Sequence, residues 1–338
     1  MTLKDNLGTD EQEFNLEKIN PELLLENTTL GFESAFKFAV DLLENFRQVL
    51  YGSPYALMVA TVSVLTGEHL LLEDAPGVGK TILAKAIAKS LGVQASRIQG
   101  QPDLLPSDVT GFSIFNPDTT EWTFRPGPVF SQIVLCDELN RTPPRTQAAL
   151  LECMEEAQVT IDGTTHLLPN PHLVIATQNP LSQQGTFPLV ESQTDRFGLS
   201  CSIGYPQIED EIKLAINHGT AEQVSKIKEI GDQDLWLSVI KASGLVHVSE
   251  AVARYAVEIC RTTREQPFVS LGASPRAAIS LINSARGVAM INRRDYVIPN
   301  DVQVIATASV AHRLAVDPPH RPQEIISNIL RSVAQPKP

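Results

Sequence analysis

Long apolar runs are missing: nothing in this 338-residue chain approaches the roughly 18 consecutive apolar residues of a membrane-spanning helix. The first residues, MTLKDNLGTDEQEF, also lack the apolar segment behind a basic region that marks a secretion signal, so a cytoplasmic protein is expected. Cysteine is scarce. The four thiols, Cys136, Cys153, Cys201 and Cys260, include no CxxC pair, which excludes a disulfide framework and a thiolate metal site. Apolar neighbours around the first three predict core thiols. The seven histidines are scattered, and the nearest pair, His166 and His172, lacks the spacing that sets two ligands on one helical face. A metal bound by His or Cys is therefore not expected. Positive charge is in deficit too, with a net charge of −12, whereas gripping nucleic acid takes clustered Lys and Arg; no nucleic-acid partner is expected. Much of the acidic excess is local. Asp5, Asp10, Glu11, Glu13, Glu17, Glu22 and Glu26 stand against Lys4 and Lys18, predicting a loosely ordered, solubilising acidic leader over residues 1–30.

What is present is enough hydrophobic residue, 43%, for two compact cores. Helical patterns run through AFKFAVDLLENFRQVL and PYALMVATVSVLTG and lead into a buried strand at 69–72. Further strands are expected at IVLCDE (133–138) and HLVIATQN (172–179), with shorter ones at SRIQ (96–99) and FGLSCSIG (197–204). Helices separate most of them. One, 81–91, has Leu83, Ala86, Ile87 and Leu91 on one face. Another, 143–157, has Leu150, Cys153, Met154 and Ala157 on its inner face, Thr142 as its cap and Pro143 in its first turn. Strands alternating with helices predict an α/β fold over 31–205, a parallel sheet covered on both faces.

Beyond Pro206 the strand signal almost vanishes, and helices are expected at 207–218, 233–243, 249–264, 274–291 and 300–315. Residues 206–225 then form a linker and first helix, and 226–316 an all-α domain. Its core is expected from Val252, Tyr255, Ala256 and Ile259 in one helix with Ile279, Ile282 and Ala289 in another. The proline-rich stretch 317–338 is expected to be a tail.

Chemistry concentrates at strand ends. The strand HLLLED runs into Ala75-Pro76-Gly77-Val78-Gly79-Lys80-Thr81 and then a helix, the setting of a phosphate-binding loop. Gly77 and Gly79 let backbone N–H groups turn toward phosphates, Lys80 supplies a cation, and the Thr81 hydroxyl can ligate Mg²⁺. Asp74 stands where the usual pattern has its first glycine. The strand at 133–138 ends in Asp137 and Glu138, suited to holding the Mg²⁺ hydration shell and to orienting an attacking water; a solvated pair at a loop start is the plain alternative. Asn179 ends another strand, where its amide could bind water and phosphate or, before Pro180, simply start a turn. Arg196 either pairs with Asp195 or reaches a neighbouring subunit's γ-phosphate. Arg276, at a helix start in GASPRAA, opposes the helix dipole and so calls for an anionic partner such as a phosphate.

The segments EDAPGVGKT, RIQGQPDLLPSDVTG, LCDELNRTPPRTQAALLECMEEAQVTIDG, ATQNPLSQQGTFPLVESQTDRF and GASPRAA together resemble the MoxR family of AAA+ ATPases, over about residues 35–315. The resemblance implies a P-loop NTPase core with a helical lid, ATP·Mg²⁺ in the groove between them, and ATP hydrolysis in a homo-oligomeric ring, a hexamer. Pro76, Gly77, Val78, Gly79, Lys80 and Thr81 would form Walker A, Asp137 and Glu138 Walker B, Asn179 sensor 1, Arg196 the arginine finger and Arg276 sensor 2. Ser53 after Gly52 and Thr194 before Asp195 depart from the family pattern. The family task is chaperone-like remodelling, maturation or metal insertion in partner proteins, often beside a von Willebrand factor A-domain protein. Two family insertions have candidates: 111–128, with Phe112, Phe115, Trp122 and Phe124, and a hairpin at 159–168 turning at Asp162-Gly163. The aromatic cluster is either core or a channel-facing contact for a client. A magnesium-chelatase-type motor subunit shares the architecture and the string DRFGL, and a nucleotide-gated scaffold without turnover is the non-enzyme alternative.

Overall fold

The computed structural model describes residues 30–51, 53–74, 77–118, 120–179, 185–216 and 221–336; the acidic leader and Pro76 lie outside the described residues. Two helices come first, α1 (Leu30–Val49) and α2 (Pro54–Thr66). Every residue of α2 from Ala56 to Leu65 is buried, as a helix apolar all round must be. The Ser53 hydroxyl caps it by accepting from Tyr55 N, and Gly67 ends it in the left-handed conformation.

The sheet domain continues through β1 (Leu70–Glu73), α3 (Lys80–Leu91), β2 (Ala95–Gln99), α4 (Pro106–Thr110) and a hairpin of β3 (Gly111–Asn116) with β4 (Glu121–Pro126). Then come β5 (Ile133–Asp137), α5 (Pro144–Glu156), a second hairpin of β6 (Gln158–Ile161) with β7 (Thr164–Leu167), β8 (Leu173–Gln178), α6 (Glu191–Thr194) and β9 (Leu199–Cys201). Five strands pair in parallel in the order β2-β5-β8-β1-β9. The expected strands are all present, the last shortened. Side chains alternate between two cores: Leu70, Leu72, Ile133, Leu135, Leu173 and Ile175 pack on the side of α1, α2 and α3, while Leu71, Val134, Cys136, Val174 and Ala176 pack with Leu150, Leu151 and Met154 of α5. All four cysteines are buried and free, and burial pushes the thiols of Cys136 and Cys153 up to about 12.

The start of α5 differs from expectation. Pro143 is the N-cap and Pro144 opens the helix, while the Thr142 hydroxyl is buried without a hydrogen bond among the described residues. Two consecutive prolines shift the first turn by one residue, which takes Thr142 out of capping reach.

The helical region comprises α7 (Ile208–Ile216), α8 (Ala221–Lys226), α9 (Gln233–Leu245), α10 (Glu250–Thr263), α11 (Pro275–Ile291) and α12 (Pro299–Val310). A short antiparallel ladder joins β10 (Val269–Leu271) to β11 (Ala315–Val316). The expected tail is instead partly helix: α13 (Pro322–Ser332) buries Ile325, Ile326 and Ile329 against α10 and α12. Pro322 sits in the first turn, where a missing N–H costs nothing, and the isoleucine spacing outweighs the prolines around it. In α10 the expected face is buried. In α11 Ile279 is instead 63% exposed, and Leu281, Ala285 and Val288 carry the inner face.

This region docks at the amino-terminal end of β1. Trp236 of α9, fully buried, donates its indole N–H to Val64 O in α2 at 2.9 Å. Gly287 lets α11 close on α2, since a Cβ there would lie 2.9 Å from Val62. Ser280 and Asn283 of α11 reach Glu68, just before β1; burial raises the Glu68 carboxyl above its ordinary value, opposed by Asn283, Arg313 and Ser280. These contacts lie at the opposite end of β1 from the phosphate loop, which follows Glu73.

Candidate active site

Between β1 and α3 the chain turns through Gly77 and Gly79 at φ of 89° and 99°, a region L side chains rarely adopt. Gly79 is the N-cap of α3, so unpartnered N–H groups and the positive end of the helix dipole meet there. On Gly77 the side where a Cβ would stand is open. Lys80 is buried and donates from Nζ to Asp74 O at 3.0 Å, folding its cation back over the loop. Asp74 has its own work. Its carboxylate accepts from Ser202 Oγ (2.6 Å), Ile203 N (2.6 Å) and Gly204 N (3.2 Å), tying the loop to the exit of β9. Departure from the glycine pattern thus anchors the loop.

At the end of β5, Asp137 Oδ1 accepts from Thr177 Oγ1 (2.9 Å) and Oδ2 from Arg97 Nη2 (2.7 Å). Thr177 Oγ1 in turn accepts from Glu138 N (2.8 Å), so β8 fixes the Asp137 carboxylate and the Glu138 main chain. Glu138 has φ 56° and ψ 51°, a left-handed conformation that costs about 1–2 kcal/mol for a residue with a Cβ. Its Oε2 accepts from Arg141 Nη1 (2.9 Å) and Gln99 Nε2 (3.5 Å). The backbone after Asp137 passes directly over Gly100: Gly100 N donates to Asp137 O (2.7 Å), and a Cβ at 100 would overlap Glu138 O. Asn179 follows β8, and its backbone O accepts from Asn140 Nδ2 (3.4 Å). Because β8 lies between β5 and β1, the sheet sets Asp137, Glu138, Asn179 and the loop from Gly77 to Thr81 at neighbouring strand ends. Sequence reasoning missed Arg97, Gln99, Arg141 and Thr177. Arg97 and Gln99 alternate along β2 in register with β5, and Arg141 is three residues past Glu138, so the signal was there once β2 was paired with β5.

The donor set suits Mg²⁺, which keeps water and phosphate oxygens and takes few protein ligands. One hydroxyl, Thr81, and one carboxylate, Asp137, meet that need. Among the described residues no group of three His, Cys, Asp or Glu side chains could hold a metal more densely.

Arg196 and Arg276 are not brought to this end. Arg196 precedes β9, Arg276 is in the first turn of α11, and both meet Glu155 of α5. Glu155 Oε2 is 3.3 Å from Arg196 Nε, and Oε1 accepts from Arg276 Nη2. The carboxyl of Glu155 is held below its ordinary value chiefly by the hydrogen bond from Arg276, and Glu155 raises Arg276 in return. The pairing of Arg196 with Asp195 considered from sequence does not form. Asp195 is engaged by Arg313 Nε (3.3 Å) and Ser274 Oγ (3.1 Å). Met154, beside Glu155, contacts His69 Nε2 through its carbonyl at 3.3 Å, and His69 immediately precedes β1. The length of β1, about 13 Å at ~3.3 Å per residue, therefore separates the arginine cluster from the phosphate loop within one chain.

Residues 69–199 match the model of the ATPase family associated with various cellular activities (AAA), and 261–331 match the AAA lid domain. The chain is 42% identical over 275 residues to the uncharacterized protein YeaC of Bacillus subtilis, spanning 81% of this chain and 86% of that protein. It is 37% identical over 306 residues to the chaperone MoxR1 of Mycobacterium tuberculosis, spanning 86% of this chain and 80% of that protein. The crystal structure of a putative ATPase from Cytophaga hutchinsonii superposes with a TM-score of 0.81 at 35% identity, over 90% of this chain and 98% of that one.

Proposed function

The chain belongs to the MoxR family of AAA+ ATPases, and from that premise we propose that it acts as a ring in which one subunit binds ATP·Mg²⁺ and the next completes its hydrolysis. Loop N–H groups from Gly77 to Lys80, with the Lys80 ammonium, bind the phosphates. Thr81 and Asp137 would hold Mg²⁺, which supplies charge neutralisation at the β- and γ-phosphates. Glu138 orients the attacking water and takes up its proton, and the Asn179 amide fixes that water against the phosphate. Arg196 and Arg276 come from the neighbour to the γ-phosphate, where charge builds in the transition state.

One observation carries this reading: the arginines and the phosphate loop stand at opposite ends of β1, and Arg196 belongs to the same rigid sheet as the loop. A surface that donates arginines and a different surface that receives them make a head-to-tail contact, which closes into a ring, of six subunits by the family resemblance. The ring's work is chaperone-like remodelling of a client protein in the cytoplasm, extending to maturation or metal insertion, with a von Willebrand factor A-domain partner. Phe112, Phe115 and Trp122 on the β3–β4 hairpin are 48%, 46% and 70% exposed, which supports client contact rather than core packing for these aromatics.

The test mixes Arg196→Ala with Glu138→Gln subunits above the assembly concentration and follows phosphate release. Each parent is expected to be nearly inactive, and mixtures to recover turnover at junctions where an intact arginine meets an intact Glu138. A strictly additive line between the parents overturns the trans assignment.

A further inference from the structure

Glu155 has no part in the reaction just described, yet it is the point at which the two arginines meet. Arg196 belongs to the sheet domain, Arg276 to the helical region, and Glu155 gives one carboxylate oxygen to each. Two guanidinium groups carried on separate bodies repel each other, and Arg276 stands near a helix N-terminus, where the dipole disfavours a cation. A carboxylate between them offsets both effects. Asp195 does not compete for Arg196, because Arg313 and Ser274 engage it. Glu155 meets Arg196 at Nε, leaving Nη1 and Nη2 without a partner among the described residues; the two side chains are 30% and 48% exposed, open to an incoming anion.

We propose that Glu155 is a positioning residue for ATP hydrolysis at the adjoining subunit, holding Arg196 and Arg276 together as one unit that meets a single γ-phosphate; the inference rests on the trans reading above. Glu155 touches neither nucleotide nor water. It fixes the spacing of two groups that do, and preorganisation of this kind acts on the transition state more than on ground-state binding.

Glu155→Ala in the full-length chain is expected to lower kcat for ATP on the order of tenfold or more while KM stays within about twofold, since its own phosphate loop is remote. Glu155→Gln keeps the shape and one acceptor oxygen, so its kcat should fall in between; it carries the test if the alanine variant does not fold. Mixed with Glu138→Gln subunits, Glu155→Ala subunits should regain turnover, because their intact Glu138 then meets intact arginines from the neighbour. A purely structural role would impair the subunit's own site and give no recovery. Turnover equal to or above the parent, a raised KM at unchanged kcat, or no recovery in the mixture overturns the proposal. If Arg196→Ala recovers in such mixtures and Glu155→Ala does not, this inference falls and the trans reading stands; if neither recovers, both fall.

Discussion

At the carboxyl ends of β1, β5 and β8, charge is turned inward. Lys80 is buried over its own loop, Asp137 is paired with Arg97, and Glu138 with Arg141. At the amino ends the charges bridge domains instead: Glu155 joins Arg196 to Arg276, and Asp195 joins Arg313 to Ser274. The first region holds the acid, the cation and the loop that the proposed reading assigns to a phosphate group. The second has the arginines and no loop. In the trans reading proposed above each is the complement of the other, with the length of one strand between them in a single chain.

Substitutions on the two sides should therefore fail differently. Lys80→Ala is expected to abolish ATP binding and turnover together, since it removes the cation of the loop; calorimetry giving an affinity near that of the parent would break the assignment of this end. Arg196→Ala should leave ATP affinity nearly intact and reduce turnover on the order of 10³-fold. Loss of affinity in parallel with turnover would mean that Arg196 serves its own chain's nucleotide. The joint beneath the arginines can be probed through Arg313, 4% exposed and facing Asp195, with Glu68 also nearby. Arg313→Ala leaves the part-buried Asp195 without its counter-ion and a gap where a buried side chain stood, and should cost about 3 kcal/mol in urea unfolding. A loss below about 1 kcal/mol would show that this ion pair adds little to the docking of the helical region. The smallest effect is expected at Ile279, which faces solvent on the helix that bears Arg276: Ile279→Ser should change stability by less than about 0.5 kcal/mol. Leu281→Ala, two positions on and fully buried, should cost about 3 kcal/mol by the same assay.

How much of this was legible in the sequence depends on how locally it is determined. The phosphate loop, Asp137, Glu138 and Asn179 each follow an apolar strand signal within a residue or a few, so their placement at strand ends is legible from the residue pattern, while the order that makes those strands neighbours is not. Nor is the location of Arg276 relative to the loop. It depends on which end of β1 receives the helical region, a matter settled by contacts such as Trp236 with Val64 and Gly287 with Val62, far apart in the chain. The partners of the carboxylates were hidden for a related reason. Arg97 meets Asp137 only because β2 pairs with β5, 40 residues away. Prolines misled twice: near 318–322 they masked the isoleucine period of α13, and at 143–144 they displaced a helix start.

Gly100 gives the molecule a point closed to sequence drift. A methyl group there would strike the Glu138 carbonyl and carbon and the Asp137 carbonyl, all main-chain atoms that no change of rotamer can move aside. Even alanine would have to lift the turn that holds Glu138 in its left-handed conformation, so a change at a residue with no functional side chain would be felt as a catalytic defect in an otherwise folded protein. In a library of random variants, position 100 should tolerate replacement as poorly as the carboxylate it passes beneath.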